Sequence, residues 1–226
     1  MSVHVAPEYA PLDNSHKRQP YTKGLVASQE GRPYYDLLMA TAPLGKCPYC
    51  QFGQVETLDH FLPKARYPSL SIVADNLVPA CMSCNKGKGS NPVTEENQIS
   101  HPYFENARIM NEIWLHAEIT QTDPVTSSFS VDCPIDWPTD LSNRIKNYFK
   151  DFKLSKRYAV EAASELVSIS EYLTDLLSLE TRMEHINRIA SHERKILLNG
   201  WKAALYAALA RSEWYGNVGF AGIGDA

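Results

Sequence analysis

Cys47-Pro-Tyr-Cys50 and Cys81-Met-Ser-Cys84 constrain this chain more than any other feature, because two C-x-x-C pairs can supply the four thiolates of one tetrahedral zinc ion. Four sulfur ligands close the coordination shell. Such a Zn²⁺ is structural: it ties two strips of chain together and leaves no open position for a substrate. The pairs lie 30 residues apart, from Gln51 to Ala80, which is longer than a compact zinc ribbon needs, so they frame a looped-out insert. Cys133 falls outside this pattern and reads as a buried or idle thiol. The first twenty residues lack the apolar core of a signal peptide, and no apolar run reaches membrane-spanning length. The expectation is a cytoplasmic protein without a membrane partner, in which paired cysteines mean metal rather than disulfide.

Each knuckle alone admits other readings. Cys47-Pro-Tyr-Cys50 resembles the glutaredoxin redox motif, whose chemistry needs one low-pKa thiol at the start of a helix; a second C-x-x-C argues against it. Pro79-Ala-Cys81-Met-Ser-Cys84 is similar to the zinc deaminases, but those require His-x-Glu upstream and proline directly before the first cysteine. Here Phe61-Leu62 follow His60, and Ala80 intervenes. The plainer alternative is a catalytically inactive, zinc-stabilised module that binds nucleic acid or protein.

Between the knuckles the chain carries Asp59-His60, then Pro63, Lys64 and Arg66, then Asn76-Leu77; directly after Cys84 stand Asn85 and, three residues on, Lys88. This order resembles the HNH (ββα-metal) endonuclease family of the four-cysteine type, over roughly residues 41–105. The resemblance implies a β-hairpin followed by a helix around one divalent cation, and hydrolysis of a phosphodiester bond in DNA. It implies His60 as general base and Asp59 as metal ligand, and it makes Asn76 the residue that orders the loop carrying the base. Asn85 stands where many members have histidine and would be the second metal ligand. A carboxylate with an amide oxygen suits Mg²⁺ or Mn²⁺ better than zinc. Lys64, Arg66 and Lys88 are candidates for gripping phosphate. The four histidines His101, His116, His185 and His192 have no such frame, and His101 reads as a packing residue.

The rest of the chain suggests an α+β protein in three stretches. Residues 1–40 read as an arm with a short helix from Pro33 to Met39, the arm (residues 1–30) running over the surface rather than forming a core element. Residues 41–105 hold the motif. Residues 106–226 hold a hairpin, with strands near 113–119 and 127–131 around Asp123-Pro124, then a helical bundle and a mobile, Gly-rich tail from Gly216. Asp140 is the expected cap of the first long helix, and Gly200 a break between helices. Apolar positions Leu166, Ile169, Leu173, Leu176 and Leu177, then Ile186, Ile189, Ile196, Leu197, Trp201, Leu205 and Leu209, are expected to pack. The net charge of −4 is unusual for a protein that binds phosphate, and no stretch carries a basic excess. Lys146, Lys150, Lys153 and Arg157, joined by Arg144 and Lys156, form the one basic cluster. It suits either a phosphate backbone or simple solvation. The acidic whole implies weak affinity for DNA, and hence a protein partner, a homo-oligomer or a tightly regulated activity. An HNH motif with a helical extension also resembles components of bacterial anti-phage defence, including Septu-type systems in which an ATPase partner regulates the nuclease.

Overall fold

The protein, described by a computed structural model over residues 20–221, is α+β as the sequence predicts. The described residues divide into two compact units on either side of the Glu105–Asn106 junction.

The first unit begins with a π-helical turn, Pro20–Val26, and helix α1, Arg32–Met39, with proline in its first turn. Residues 1–19 of the expected arm lie outside the described residues. The remainder of the arm is not peripheral, because Tyr21 is buried with Leu58 and Leu77, and Leu25, Val26, Tyr35, Leu38 and Met39 pack around them. Polar neighbours concealed an aromatic anchor, Tyr21, with Leu25 and Val26 packing beside it. Strand β1, Thr57–His60, pairs antiparallel with β2, Leu77–Ala80, placing Asp59 opposite Val78 and His60 opposite Leu77. Two short 3₁₀ turns, Pro68–Leu70 and Ala74–Asn76, occupy the connection. Helix α2, Met82–Lys88, follows β2 after Cys81 and completes a ββα arrangement.

The second unit opens on a short helix α3, Ala107–Asn111, whose Arg108 N–H is accepted by the Asn106 side chain. Strands β3, Leu115–Thr120, and β4, Thr126–Val131, form the expected hairpin, in register from Leu115↔Val131 to Thr120↔Thr126. Four helices follow: α4, Thr139–Asp151; α5, Leu154–Thr174; α6, Leu179–Ile196; and α7, Trp201–Ala210. Helix α5 packs on β4, α7 on β3, and α6 on α7. Along α5, Tyr158, Ala162, Leu166, Ile169 and Leu173 are buried at helical spacing, and the Tyr158 ring meets Phe129 of β4 edge-on at 5.5 Å. The cap of α4 is Pro138, not Asp140, which sits in the first turn where a carboxylate favours the exposed N–H groups. Gly200 stands between α6 and α7 as expected.

Three expected core positions are on the surface instead. Leu177 is 97% exposed, Ile196 63% and Leu197 37%. The apolar period runs past the helix ends: α5 stops at Thr174 and α6 at Ile196, so these residues lie at or beyond the last turn. The tail also differs. Tyr215–Gly219 is a π-helical turn with Gly216 buried, and a Cβ added at Gly216 would lie 2.5 Å from Met183 Sδ. Glycine is there because two segments approach closely. Residues 222–226 of the expected mobile tail lie outside the described residues.

Asn199 ties this unit together. Its Oδ1 accepts the Trp114 and Leu115 N–H groups at 3.0 and 3.2 Å, and its Nδ2 donates to the carbonyls of Ile109 and Glu112 at 3.1 and 2.9 Å. An Asn199→Ala variant leaves the Trp114 and Leu115 N–H groups and the Glu112 carbonyl without that partner, while the Ile109 carbonyl keeps the Trp114 indole N–H. At about 1–3 kcal/mol for a stranded group, we expect a net loss of about 3 kcal/mol in urea unfolding. A midpoint within error of wild type would show that water replaces the amide.

Candidate functional site

The four sulfurs predicted to bind zinc converge. Cys47, Cys50, Cys81 and Cys84 are all buried, and their Sγ atoms lie within 4.8 Å of one another. The Cys50 and Cys81 sulfurs are 3.8 Å apart, the separation of about 3.8 Å expected of thiolates placed 2.3 Å from a common tetrahedral ion. The first knuckle is shaped for it: the Cys47 N–H donates to Gly53 O at 2.7 Å, and the Gly53 N–H donates to Cys50 Sγ at 3.3 Å. A Cβ at Gly53 would stand 2.9 Å from Cys81 Sγ, so any other residue would push into the cluster. Cys133 is half-buried and is not one of the clustered cysteines.

Asp59 and His60 are adjacent on β1, yet their side chains meet different partners, as alternation along a strand requires. Asp59 Oδ2 accepts the Tyr49 hydroxyl at 3.1 Å and faces the Lys88 ammonium at 3.1 Å. Burial raises the Asp59 pKa, while Lys88 and Tyr49 act in the opposite direction. His60 is held by Nε2, which lies 3.0 Å from the Ser71 carbonyl, and by the Tyr21 ring, edge-on at 4.4 Å. A carbonyl only accepts, so Nε2 carries the proton and Nδ1 keeps its lone pair. Burial lowers the imidazole pKa to about 4, with Lys64 and Lys88 pushing the same way and the Ser71 bond opposing. The ring is therefore neutral near pH 7.

Asn76 clamps the loop after the strand. Its Oδ1 accepts the Leu62 N–H at 2.6 Å, its Nδ2 donates to Leu62 O at 3.1 Å and Leu70 O at 3.0 Å, and its carbonyl accepts from Phe61 N–H at 2.8 Å. The loop that bears Ser71 is thereby fixed to the end of β1. Asn85 is half-buried on α2, one turn before Lys88 and on the same helix face.

The basic residues divide. Arg66 is exposed, and the half-buried Lys64 holds its ammonium 4.3 Å above the Tyr21 ring. Lys88 turns inward instead, donating to the carbonyls of His60 and, at 2.9 Å, Phe61, besides its contact with Asp59. In the second unit Lys146 and Lys150 are exposed on α4, but the stripe is broken at Lys153, whose left-handed backbone (φ 52°) separates α4 from α5. Arg157 lies beyond that break and donates to Phe152 O at 3.4 Å.

Three contributors to this site were not anticipated. Tyr49 could only be read as filler within its knuckle. Ser71 acts through its backbone, which leaves no signature in the residue type, and Tyr21 reaches His60 from far along the chain.

His101 packs, as expected, against the rings of Phe61 at 4.3 Å and Phe104 at 4.9 Å, and its Nδ1 accepts the N–H groups of Tyr103 and Phe104. Burial lowers its pKa to about 4; the Lys88 charge adds to this, and Asp75 opposes it. A depressed folded-state value means stability that is present above about pH 6.5 and lost as pH falls toward 4. We expect His101→Leu to flatten the acid limb of a stability–pH curve by up to about 3 kcal/mol. An unchanged limb would mean that the ring protonates without cost.

Comparison with known proteins places this geometry. The sequence profile of the HNH endonuclease family matches residues 47–91. Protein ea31 of Escherichia phage lambda is 32% identical over 205 residues, covering 82% of this chain and 68% of that protein. Septu protein PtuB of Bacillus thuringiensis is 37% identical over 75 residues, covering 31% of this chain and only 29% of PtuB. No solved structure matches. The chain therefore belongs to the family of phage lambda protein ea31, and it carries an HNH endonuclease domain.

Proposed function

We propose that this protein is a divalent-cation-dependent endonuclease that hydrolyses phosphodiester bonds in DNA. The observation that carries this reading is the His60 ring, pinned through Nε2 to Ser71 O with Nδ1 left as a base, next in sequence to a buried carboxylate. His60 takes a proton from the attacking water. Asp59 and Asn85 offer hard oxygen donors to Mg²⁺ or Mn²⁺, and Asn76 keeps the Ser71 loop in place. When bound, the cation stabilises the negative charge that develops on the phosphate and on the leaving oxygen. Lys64 and Arg66 are our candidates for gripping phosphate, and Lys146, Lys150, Lys153 and Arg157 for a second, weaker phosphate surface.

The local likeness to PtuB supports a role in anti-phage defence, with a regulating partner, for which an ATPase is our choice. The chain's acidic balance fits such dependence, since it gives little attraction for DNA of its own. Self-association would serve the same end. Five free cysteines suit the cytoplasm. Among the described residues no helix is long and apolar enough to cross a membrane.

The test is supercoiled plasmid incubated with the zinc-loaded protein and Mg²⁺ or Mn²⁺, alongside His60→Ala and an EDTA control. Nicked or linear product from wild type with cation alone supports the reading. Plasmid binding without cleavage under every condition would favour the inactive binding module instead.

A further inference from the structure

Lys88 is the residue whose surroundings fit its expected role least. A lysine that grips phosphate keeps its ammonium in water until substrate arrives, yet only 8% of this side chain is accessible. An ammonium has three protons to donate. Here they meet Asp59 Oδ2 at 3.1 Å, the His60 carbonyl, and the Phe61 carbonyl at 2.9 Å. A phosphate oxygen could be engaged only by breaking one of these, at a buried site where a stranded charge is costly.

The same Asp59 oxygen also accepts the hydroxyl of Tyr49, which is fully buried. Both donors are tied to the sulfur cluster. Tyr49 lies inside the first knuckle, and Lys88 lies one helical turn beyond Cys84 of the second. Each knuckle thus delivers one donor to a single carboxylate oxygen.

We propose that Lys88 is a positioning residue rather than a phosphate contact: with Tyr49 it clamps Asp59 Oδ2, so that Oδ1 is the oxygen offered to the catalytic cation. The inference rests on the assignment of Asp59 as metal ligand. It makes the zinc cluster the reference frame for the carboxylate, as well as the staple of the fold. The Lys88 bonds to the His60 and Phe61 carbonyls extend the same frame to the strand end that carries the base.

The test is a titration of Mn²⁺, without nucleic acid, into zinc-loaded wild type, Lys88→Met, Tyr49→Phe and Asp59→Asn, paired with duplex binding measured without divalent cation. Lys88→Met is expected to weaken Mn²⁺ binding at least tenfold, to change duplex affinity less than twofold, and to keep one zinc per chain. Tyr49→Phe removes one hydroxyl and is expected to weaken Mn²⁺ binding by a smaller factor in the same direction, a readout that survives if Lys88→Met does not fold. Weaker duplex binding with Mn²⁺ affinity intact would restore Lys88 as a phosphate contact and overturn the proposal. Tighter Mn²⁺ binding would overturn it too, by showing that the ammonium competes with the cation. Unchanged Mn²⁺ binding in Asp59→Asn would instead remove the ligand assignment itself.

Discussion

Cys84→Ser is expected to lose most of its zinc and to unfold the first unit while the second stays folded. The first unit has little else to hold it: its sheet is two strands of four residues each, and such a ribbon is marginal without further support. Zinc bound by four thiolates contributes about 10–16 kcal/mol of apparent folding free energy in small domains, more than a hydrophobic cluster centred on Tyr21, Leu58 and Leu77 can replace. The second unit has its own core, with Leu115, Leu141, Ile145, Leu154, Leu166, Leu205 and Leu209 essentially inaccessible. Hydrogen exchange with zinc analysis checks this: fast exchange across residues 47–91 beside retained protection in α5 and α7 is the expected pattern. A zinc-free wild type with full protection in 47–91 would refute the structural role of the metal.

His60→Ala is expected to lower DNA cleavage by about 10²–10⁴-fold, the range for loss of a positioned general base. The stability cost should be smaller, about 1–2 kcal/mol, since one hydrogen bond to Ser71 O and one edge-on ring contact disappear. Zinc content should not change, because no zinc ligand is touched. This separation of a large rate effect from a small structural one identifies a base. Added imidazole should restore part of the rate by entering the space left beside Tyr21. Equal cleavage by variant and wild type would eliminate His60 from the chemistry.

The sequence was most informative where chemistry demands particular atoms in a particular order. The four cysteines were readable because two C-x-x-C pairs supply the four thiolates that close one tetrahedral site, and their sulfurs converge. The hairpin of β3 and β4 and the succession of long helices were readable from their periods. What escaped was whatever depends on contacts between distant segments or on the backbone itself. The inward turn of Lys88 was not legible because a charged side chain shows its type and not its direction; its ammonium meets two carbonyls and a carboxylate from β1 and the residue after it. Leu177 looked like core because periodicity cannot reveal that a helix ended three residues earlier. The tail from Gly216 looked mobile because glycine marks both freedom and close packing, and only the neighbouring Met183 sulfur distinguishes them.

Tyr21 has a practical meaning for anyone dividing this chain. The stretch that matches the endonuclease profile starts at Cys47, but the ring that walls in His60 arrives from 39 residues upstream of that histidine and also holds the Lys64 ammonium 4.3 Å from its centroid. A fragment trimmed to the profile would expose Leu58 and Leu77 and leave the imidazole open to solvent on one side. The smallest portable piece that keeps this HNH domain intact, for grafting onto another scaffold or for expression on its own, therefore has to begin ahead of Tyr21.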